Sequence, residues 1–312
     1  MSLAPHPFTL RQLQYVVAVA DALSFSRAAE LCAVSQPALS AQVAQLEEVL
    51  GLRLFERDRR RVLPTEAGRA FVARARALLV VANELVEAAR RASDPFSGTV
   101  RLGIIPTVGP YLLPHVVPAL RKRFPKLRLL WREDRTEALL RELQEGALDA
   151  AVVGQRSGLG ELEVRPIAED PFVLAAPKDH PLAKEEGPAS ISDLREEDVL
   201  LLEEGHCFRD QALAFCSRAR AHELEFRATG LSTLAQMVAG GAGVTLLPAL
   251  AVKTEAARAD LRVRPLAAPA PKRTVALVFR QKAALAPALE AIAQVVKEAY
   301  PASGPAEATR RR

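Results

Sequence analysis

Cysteine is scarce in this sequence: Cys32, Cys207 and Cys216 are the three such residues in a chain of 312. So few thiols cannot form the disulfide framework of a small secreted protein. In a reducing compartment they are core residues, metal ligands or redox-active thiols. No tight Cys-x-x-Cys or His-x-x-x-His cluster stands near them, so neither a metal nor another cofactor is expected. Long apolar runs are also missing. Nothing approaches the roughly 18–20 uninterrupted apolar residues of a membrane span. The opening residues, Met1-Ser2-Leu3-Ala4-Pro5-His6-Pro7-Phe8, have neither a basic start nor a sustained apolar stretch. A secretory leader is therefore not expected, and a cytoplasmic location is.

What is present is apolar mass and unevenly placed positive charge. Hydrophobic residues make up 49% of the chain, enough for a sizeable core, and the length suits two or three domains. The formal net charge of +5 allows a polyanionic partner without requiring one. From Arg53 to Arg76 there are eight arginines against three acids, Glu56, Asp58 and Glu66.

The hydrophobic periodicity changes twice along the chain. Leu10, Leu13, Val17 and Ala20 recur at helical spacing. Phe25–Leu31 gives a second helix with Ser24 or Ser26 as its cap, and Cys32-Ala33-Val34 gives a turn. A third helix, capped by Ser35 and carrying Gln36 and Pro37 in its first turn, runs to Leu50 and stops at Gly51. Arg53–Leu63 reads as a hairpin wing. Thr65 opens a long helix to about Arg91, striped by Leu78, Leu79, Val81, Ala82, Leu85, Val86 and Ala89. A lone helix so striped must bury that face, and a second copy of itself is the simplest partner. From Thr99 strands and helices alternate, which predicts a mostly parallel sheet in two small α/β lobes with a cleft between them. The expected segments are 1–64 for the short helices and hairpin, 65–92 for the long helix, 93–97 for a hinge, 98–300 for a two-lobed α/β domain, and 301–312 for a disordered tail.

Two helices, a short turn and a third helix opening Ser-Gln-Pro-Ala-Leu-Ser follow helix-turn-helix logic. The third helix would enter the major groove of double-stranded DNA. Ser35, Gln36, Pro37 and Ser40 are small or polar enough to approach base edges, and Gln36 could read adenine. Arg57, Arg59, Arg60 and Arg61 would grip phosphates. On spacing alone an ordinary helical hairpin with a charged loop explains the segment equally well.

The stretch Glu203-Glu204-Gly205-His206-Cys207-Phe208-Arg209-Asp210-Gln211-Ala212-Leu213-Ala214-Phe215-Cys216 carries the second signal. Gly205 reads as a break before a helix, with Cys207 in or just before its first turn, beside His206 and Arg209. A helix N-terminus and nearby cations favour the thiolate form. Phe208, Ala212, Phe215 and Cys216 share a face, so Cys216 is expected to be buried. Nine residues of continuous helix hold the two Cα atoms about 13 Å apart, beyond the roughly 7 Å that a disulfide spans. A disulfide here would unfold the helix. Two cysteines serving as small hydrophobes are the plainer reading.

Both segments resemble a known family. Leu10-Arg11-Gln12-Leu13, Ser24–Leu31, Val34–Ser40, Gln45-Leu46-Glu47, Gly51–Arg57 and Leu63–Gly68 together resemble the winged helix-turn-helix of LysR-type regulators, and the resemblance extends over nearly the whole chain. It implies a winged helix, a dimerising linker helix and an effector domain like a periplasmic binding protein. Leu202–Cys207, Arg209–Ala212, Phe215-Cys216, Phe226–Thr229 and Thr245–Ala251 resemble the redox segment of the hydrogen-peroxide-sensing OxyR subfamily, and Ile105–Pro114 resembles its peroxide-pocket strand end. The resemblance implies that Cys207 attacks peroxide, Cys216 resolves the product to a disulfide, and Thr107 and Thr136 orient the oxidant. His206, Arg209 and Asp210 would support them. It further implies a non-enzymatic transcription regulator, a dimer of dimers, contact with RNA polymerase and control of oxidative-stress defence genes. A small-metabolite effector in the cleft, a thiol peroxidase and a solute-binding protein are the alternatives. Cys32 reads as a core residue, and Phe208 stands where relatives often carry leucine.

Overall fold

The computed structural model of the chain describes residues 6–58, 61–91, 94, 96–155 and 159–301. It divides into two compact units, Met1–Arg90 with Gln144–Gly146, and Arg91–Leu143 with Ala147–Arg312.

The first unit opens with α1 (Leu10–Ala22), α2 (Phe25–Leu31) and α3 (Gln36–Leu50). Local chemistry sets their ends. The Thr9 hydroxyl accepts from the Gln12 amide while Gln12 Oε1 accepts from the Thr9 amide, a reciprocal capping box. Ser24 caps α2 by accepting from the Arg27 amide. Ser35, expected to cap α3, makes no side-chain cap bond. Pro37 at the second helical position removes one of the two amides such a cap would reach. Gly51 ends α3 in the left-handed region, at φ +64°. Leu39, Val43 and Leu46 turn inward onto Val16, Val19, Ala28 and Phe55.

The wing is a hairpin of β1 (Phe55–Asp58) and β2 (Arg61–Pro64), paired antiparallel. Glu47 ties α3 to it, accepting from the Leu54 and Phe55 amides at 2.7 and 3.2 Å. Helix α4 (Glu66–Arg91) follows; its 26 residues span roughly 39 Å. Thr65 caps it by accepting from the Gly68 amide and donating to the Arg53 carbonyl. A Cβ on Gly68 would stand 2.0 Å from the Leu54 carbonyl oxygen, so the helix can approach the wing only with glycine there. Leu78, Val81, Leu85 and Val86 are at least half exposed along α4. Arg59, Arg60, the side chains of Arg57 and Arg61, and the tail beyond Pro301 lie outside the described residues.

In the second unit, β3 (Gly98–Ile104), α5 (Gly109–Arg123), β4 (Leu127–Glu133), α6 (Thr136–Gln144) and β5 (Ala150–Gly154) build a parallel sheet in the order β4-β3-β5. The long strand β6 (Leu162–Ala176) leaves this lobe and enters the next. There α7 (Pro181–Lys184), β7 (Asp198–Leu202), α8 (Cys207–Ala219), β8 (His222–Ala228), α9 (Leu231–Ala239), β9 (Thr245–Pro248), α10 (Ala249–Arg258) and β10 (Arg262–Pro265) form the second lobe. Strand β11 (Lys272–Arg280) returns to the first, and α11 (Ala286–Glu298) covers it.

The expectation of a mostly parallel sheet needs correcting. Strand β11 lies antiparallel between β5 and β6, and β9 and β10 also pair antiparallel with the far half of β6. The parallel order survives within β4-β3-β5 and in the β7-α8-β8 crossover. The reason is connectivity: β6 runs out of the first lobe into the second, and β11 enters the first lobe from the second, so the two run in opposite directions.

Gly68→Ala should force α4 off the Leu54 carbonyl and destabilise the first unit by about 1–3 kcal/mol, the usual range for overpacking. Thermal unfolding checks this, and a midpoint equal to that of the wild type would contradict the close approach.

Candidate functional site

The C-terminal ends of β3, β4 and β5 lie side by side, as the parallel register requires. Three features of the sequence converge there. Thr107 lies in the turn between β3 and α5, Thr136 begins α6 just after β4, and Gly154 ends β5. Both threonines are 2% exposed.

Helix α8 brings Cys207 to the same place. It is the crossover of the β7-α8-β8 unit, so its N-terminus follows the end of β7. Gly205, at φ +92°, makes the turn, and a Cβ there would stand 3.1 Å from Cδ of Arg135. Arg135 also pairs with Glu203. Its neighbour Thr136 is thereby held beside the turn that leads to Cys207. The Cys207 sulfur stands 2.9 Å from where a Cβ on Gly154 would be. Glycine at the end of β5 is what lets the thiol sit there.

Arg273 is the organising cation, and sequence reasoning missed it. Its Cδ also lies over Gly154. Arg273 Nη1 donates to Thr107 Oγ1 at 2.7 Å, and Nη2 donates to the Thr107 carbonyl at 3.0 Å. Nε donates to Asp170 Oδ2 at 2.9 Å. The guanidinium also lies over the Phe208 ring, 5.5 Å from its centroid, and Phe208 meets Phe172 edge-on. Because a guanidinium can only donate, the Thr107 oxygen is used as an acceptor, and its own proton must point elsewhere. The Thr107 hydroxyl therefore keeps a proton that it can donate to whatever the site receives.

The structure places the predicted supporting residues differently from one another. His206 is buried at the N-cap position of α8, and its Nε2 has no partner among the described residues. Burial, with the Arg135 charge adding, moves its pKa below the ordinary imidazole value, so it is neutral at pH 7. It does not act as a cation beside Cys207. Arg209, the other expected cation, is buried and turned to β8, where it donates to Glu223 at 2.6 Å. Asp210 is exposed on the outer side of α8. An exposed first-turn carboxylate suits a helix N-terminus, which accounts for its position without a role at the thiol.

Cys216 lies on the same continuous helix, and all three cysteines are free. Phe208, Ala212, Phe215 and Cys216 are buried, as their spacing predicts. Cys207 is buried as well, its sulfur lying against Gly154. Burial, aided by the Glu223 charge, pushes the Cys216 thiol up to about 12. Cys32 is half-buried in the turn between α2 and α3, and burial raises its pKa too. Among the described residues no group of three or more His, Cys, Asp or Glu could hold a metal.

In the first unit, Ser35, Gln36 and Pro37 are exposed at the start of α3, and Ser40 is half-buried one turn on. They lie opposite the buried face of Leu39, Val43 and Leu46.

Residues 93–301 match the LysR substrate binding domain, and residues 10–69 match the bacterial regulatory helix-turn-helix protein of the lysR family. The hydrogen peroxide-inducible genes activator of Pectobacterium carotovorum subsp. carotovorum is 45% identical over 291 residues, covering 93% of this chain and 96% of that protein. Full-length OxyR from Pseudomonas aeruginosa, solved as a cysteine-to-aspartate variant, superposes with a TM-score of 0.77 at 35% identity, covering 94% of this chain and 95% of the other. A hydrogen-peroxide-bound OxyR variant from Corynebacterium glutamicum gives a TM-score of 0.65 at 32% identity, covering 96% and 94%. The chain belongs to the LysR family of DNA-binding regulators, in its OxyR branch.

A thiol pushed up to about 12 keeps its proton at pH 8. In Cys207→Ser protein at pH 8, iodoacetamide should therefore leave Cys216 unmodified natively over times that label it fully in urea. Peptide mapping reads the difference, and equal labelling rates would contradict the burial.

Proposed function

We propose that this chain is a transcription regulator that senses hydrogen peroxide through Cys207 and Cys216. The observation that carries the reading is the placement of the Cys207 thiol over Gly154, near a threonine that accepts from Arg273 and keeps its own proton to donate, with a second free cysteine farther along the same helix. The relatives' names agree with it.

The chemistry runs in two steps. The Cys207 thiolate attacks one peroxide oxygen. The S–O bond forms as the O–O bond breaks, sulfur is oxidised to a sulfenic acid, and the departing hydroxide takes up a proton to become water. A hydrogen bond from the Thr107 hydroxyl steadies an oxygen whose charge is growing. Thr136 holds the other oxygen, and neutral His206 closes the pocket. Cys216 then attacks the sulfenic sulfur, a second water leaves, and a disulfide remains. About 13 Å of helix separates the Cα atoms, so α8 must unfold from its first turn for this step. The loss of α8 changes the packing between β7 and β8, and that is the signal. Cellular thiol reductants reset it.

The output side follows from the first unit. Helix α3 lies in the major groove with Gln36 reading bases. Ser35, Pro37 and Ser40 make close contacts, and Arg57, Arg59, Arg60 and Arg61 hold phosphates. Residues 1–64 form the DNA-binding domain, and the exposed stripe of α4 within 65–92 joins it to a second copy. After the 93–97 hinge, residues 98–300 form the sensor. The assembled form is a dimer of dimers in the cytoplasm, contacting RNA polymerase at oxidative-stress defence genes.

Stoichiometric peroxide should join Cys207 to Cys216 within one chain and leave Cys32 free, as read by peptide mapping. Cys216→Ser should accumulate a dimedone-reactive sulfenic acid at Cys207, and Cys207→Ser should give neither product. The reading fails if both thiols stay reduced at peroxide levels that change the protein's behaviour on DNA.

For the wing, Arg59→Ala with Arg60→Ala should weaken binding to all DNA sequences. It should also flatten the slope of log affinity against log salt by about 1–2, because fewer counterions are released. An unchanged slope in a salt titration would remove these arginines from the interface.

A further inference from the structure

Beneath the proposed peroxide site lies a carboxylate with no contact to the reacting atoms. Asp170, on β6, is 0% exposed. Oδ2 accepts from Arg273 Nε at 2.9 Å, and Nη2 of the same guanidinium lies 2.8 Å from it. Oδ1 accepts from the Leu250 amide in the first turn of α10, at 2.9 Å. The two residues face each other across the β6–β11 pairing.

This arrangement leaves Arg273 little freedom. Nε and Nη2 are committed to Asp170, so the plane and direction of the guanidinium are set by strands β6 and β11. Only then can Nη1 and Nη2 reach the Thr107 hydroxyl and carbonyl together. Two bonds to one residue from one planar fork specify an orientation as well as a distance. The order of dependence runs from Asp170 to Arg273 to Thr107. The last link occupies one acceptor direction of the Thr107 hydroxyl and so narrows where its proton can point.

We propose that Asp170 is a positioning residue for the oxidation of Cys207, aiming Arg273 so that Thr107 presents its proton to peroxide. The proposal rests on the peroxide-sensing reading above. Asp170 acts at a distance, through Arg273 and Thr107, and touches neither sulfur nor oxidant.

The test uses full-length protein carrying Cys216→Ser, so that the sulfenic acid is the end point. The rate of Cys207 oxidation by hydrogen peroxide is compared with its alkylation by iodoacetamide, a reaction that needs no hydroxyl donor. Asp170→Asn is expected to slow oxidation at least tenfold and alkylation less than threefold. In a Thr107→Val background the Asp170→Asn effect on oxidation should fall below threefold, because the group it aims is gone. Asp170→Glu covers the case in which Asn prevents folding. It keeps the ion pair but displaces it by a methylene, so it should retain wild-type stability more closely than wild-type oxidation rate. Equal losses in oxidation and alkylation would overturn the proposal, as would an undiminished Asp170 effect in Thr107→Val protein. So would Asp170→Glu protein that oxidises at the wild-type rate where Asn fails to fold. If wild-type Cys207 does not react with peroxide, the sensing reading itself fails, an outcome distinct from normal oxidation in the Asp170 variants.

Discussion

The buried ion pair between Arg273 and Asp170 is the constraint on which the effector unit depends. Both side chains are fully enclosed. Removing two charges from water costs several kcal/mol per ion, and mutual attraction offsets this only where the remaining donors and acceptors are also satisfied. Here they are. The guanidinium gives its other bonds to Thr107, and the carboxylate takes the Leu250 amide. One pair therefore fixes β6 against β11, the turn before α5, and the start of α10. Through the Phe208 ring over the guanidinium it also reaches the first turn of α8. An apolar replacement of equal volume could be as stable. It could not donate to the Thr107 hydroxyl and carbonyl.

That same first turn is where the helix must give way if the two cysteines are to meet. Phe208 and Phe215 are buried by α8, and withdrawing side chains of this kind from a core costs roughly 1.5–3 kcal/mol each. Opposing this, α8 ends at Arg220 in the left-handed conformation, at φ +58°, where glycine is the favoured residue. A non-glycine residue there gives up roughly 1–2 kcal/mol. The helix is thus anchored strongly at its Cys207 end, by the aromatic and cationic contacts, and terminated unfavourably beyond Cys216. The Arg209–Glu223 bond joins its first turn to β8, so unwinding that turn also releases the carboxylate that helps hold the Cys216 proton.

How much of this the sequence disclosed depends on the range of each interaction. Thr9, Ser24 and Gly51 act on residues three or four positions away, and their roles in ending helices can be read from spacing. The apolar stripe of α4 and the buried face of α8 are periodic and were equally legible. Arg273 and Asp170 are 103 residues apart. Each reads alone as an ordinary charge near the end of a strand, and only the β6–β11 register brings them opposite. Arg209 illustrates the same limit at shorter range. Its sequence neighbour Asp210 is a plausible partner, but the parallel β7–β8 crossover brings Glu223 beneath it, while the helical turn sends Asp210 outward. Ser35 makes no cap bond, although Pro37 removes only the second helical amide and leaves that of Ala38, the position that Thr9 and Ser24 use in their own helices. The crossing strands were missed because an apolar run does not state its direction.

The distribution of cost bears on why a regulator rather than a peroxidase would be built this way. An enzyme turning over peroxide gains from a resolving thiol that reaches the sulfenic acid with little motion, since every cycle repeats that motion. Here the second thiol sits on the same rigid helix, facing a different part of the core, with its proton firmly held. Around the first thiol the groups are fixed: Thr107 is held by Arg273, and the Cys207 sulfur lies over Gly154. The second step is made dependent on losing secondary structure. For catalysis that dependence is a burden, because it slows release and reset. For a signal it is the output: a small, diffusible oxidant becomes the presence or absence of a helix between β7 and β8. The same buried contacts that delay the change also keep the two forms distinct, since a core packed around Phe208 and Phe215 has no halfway arrangement for them.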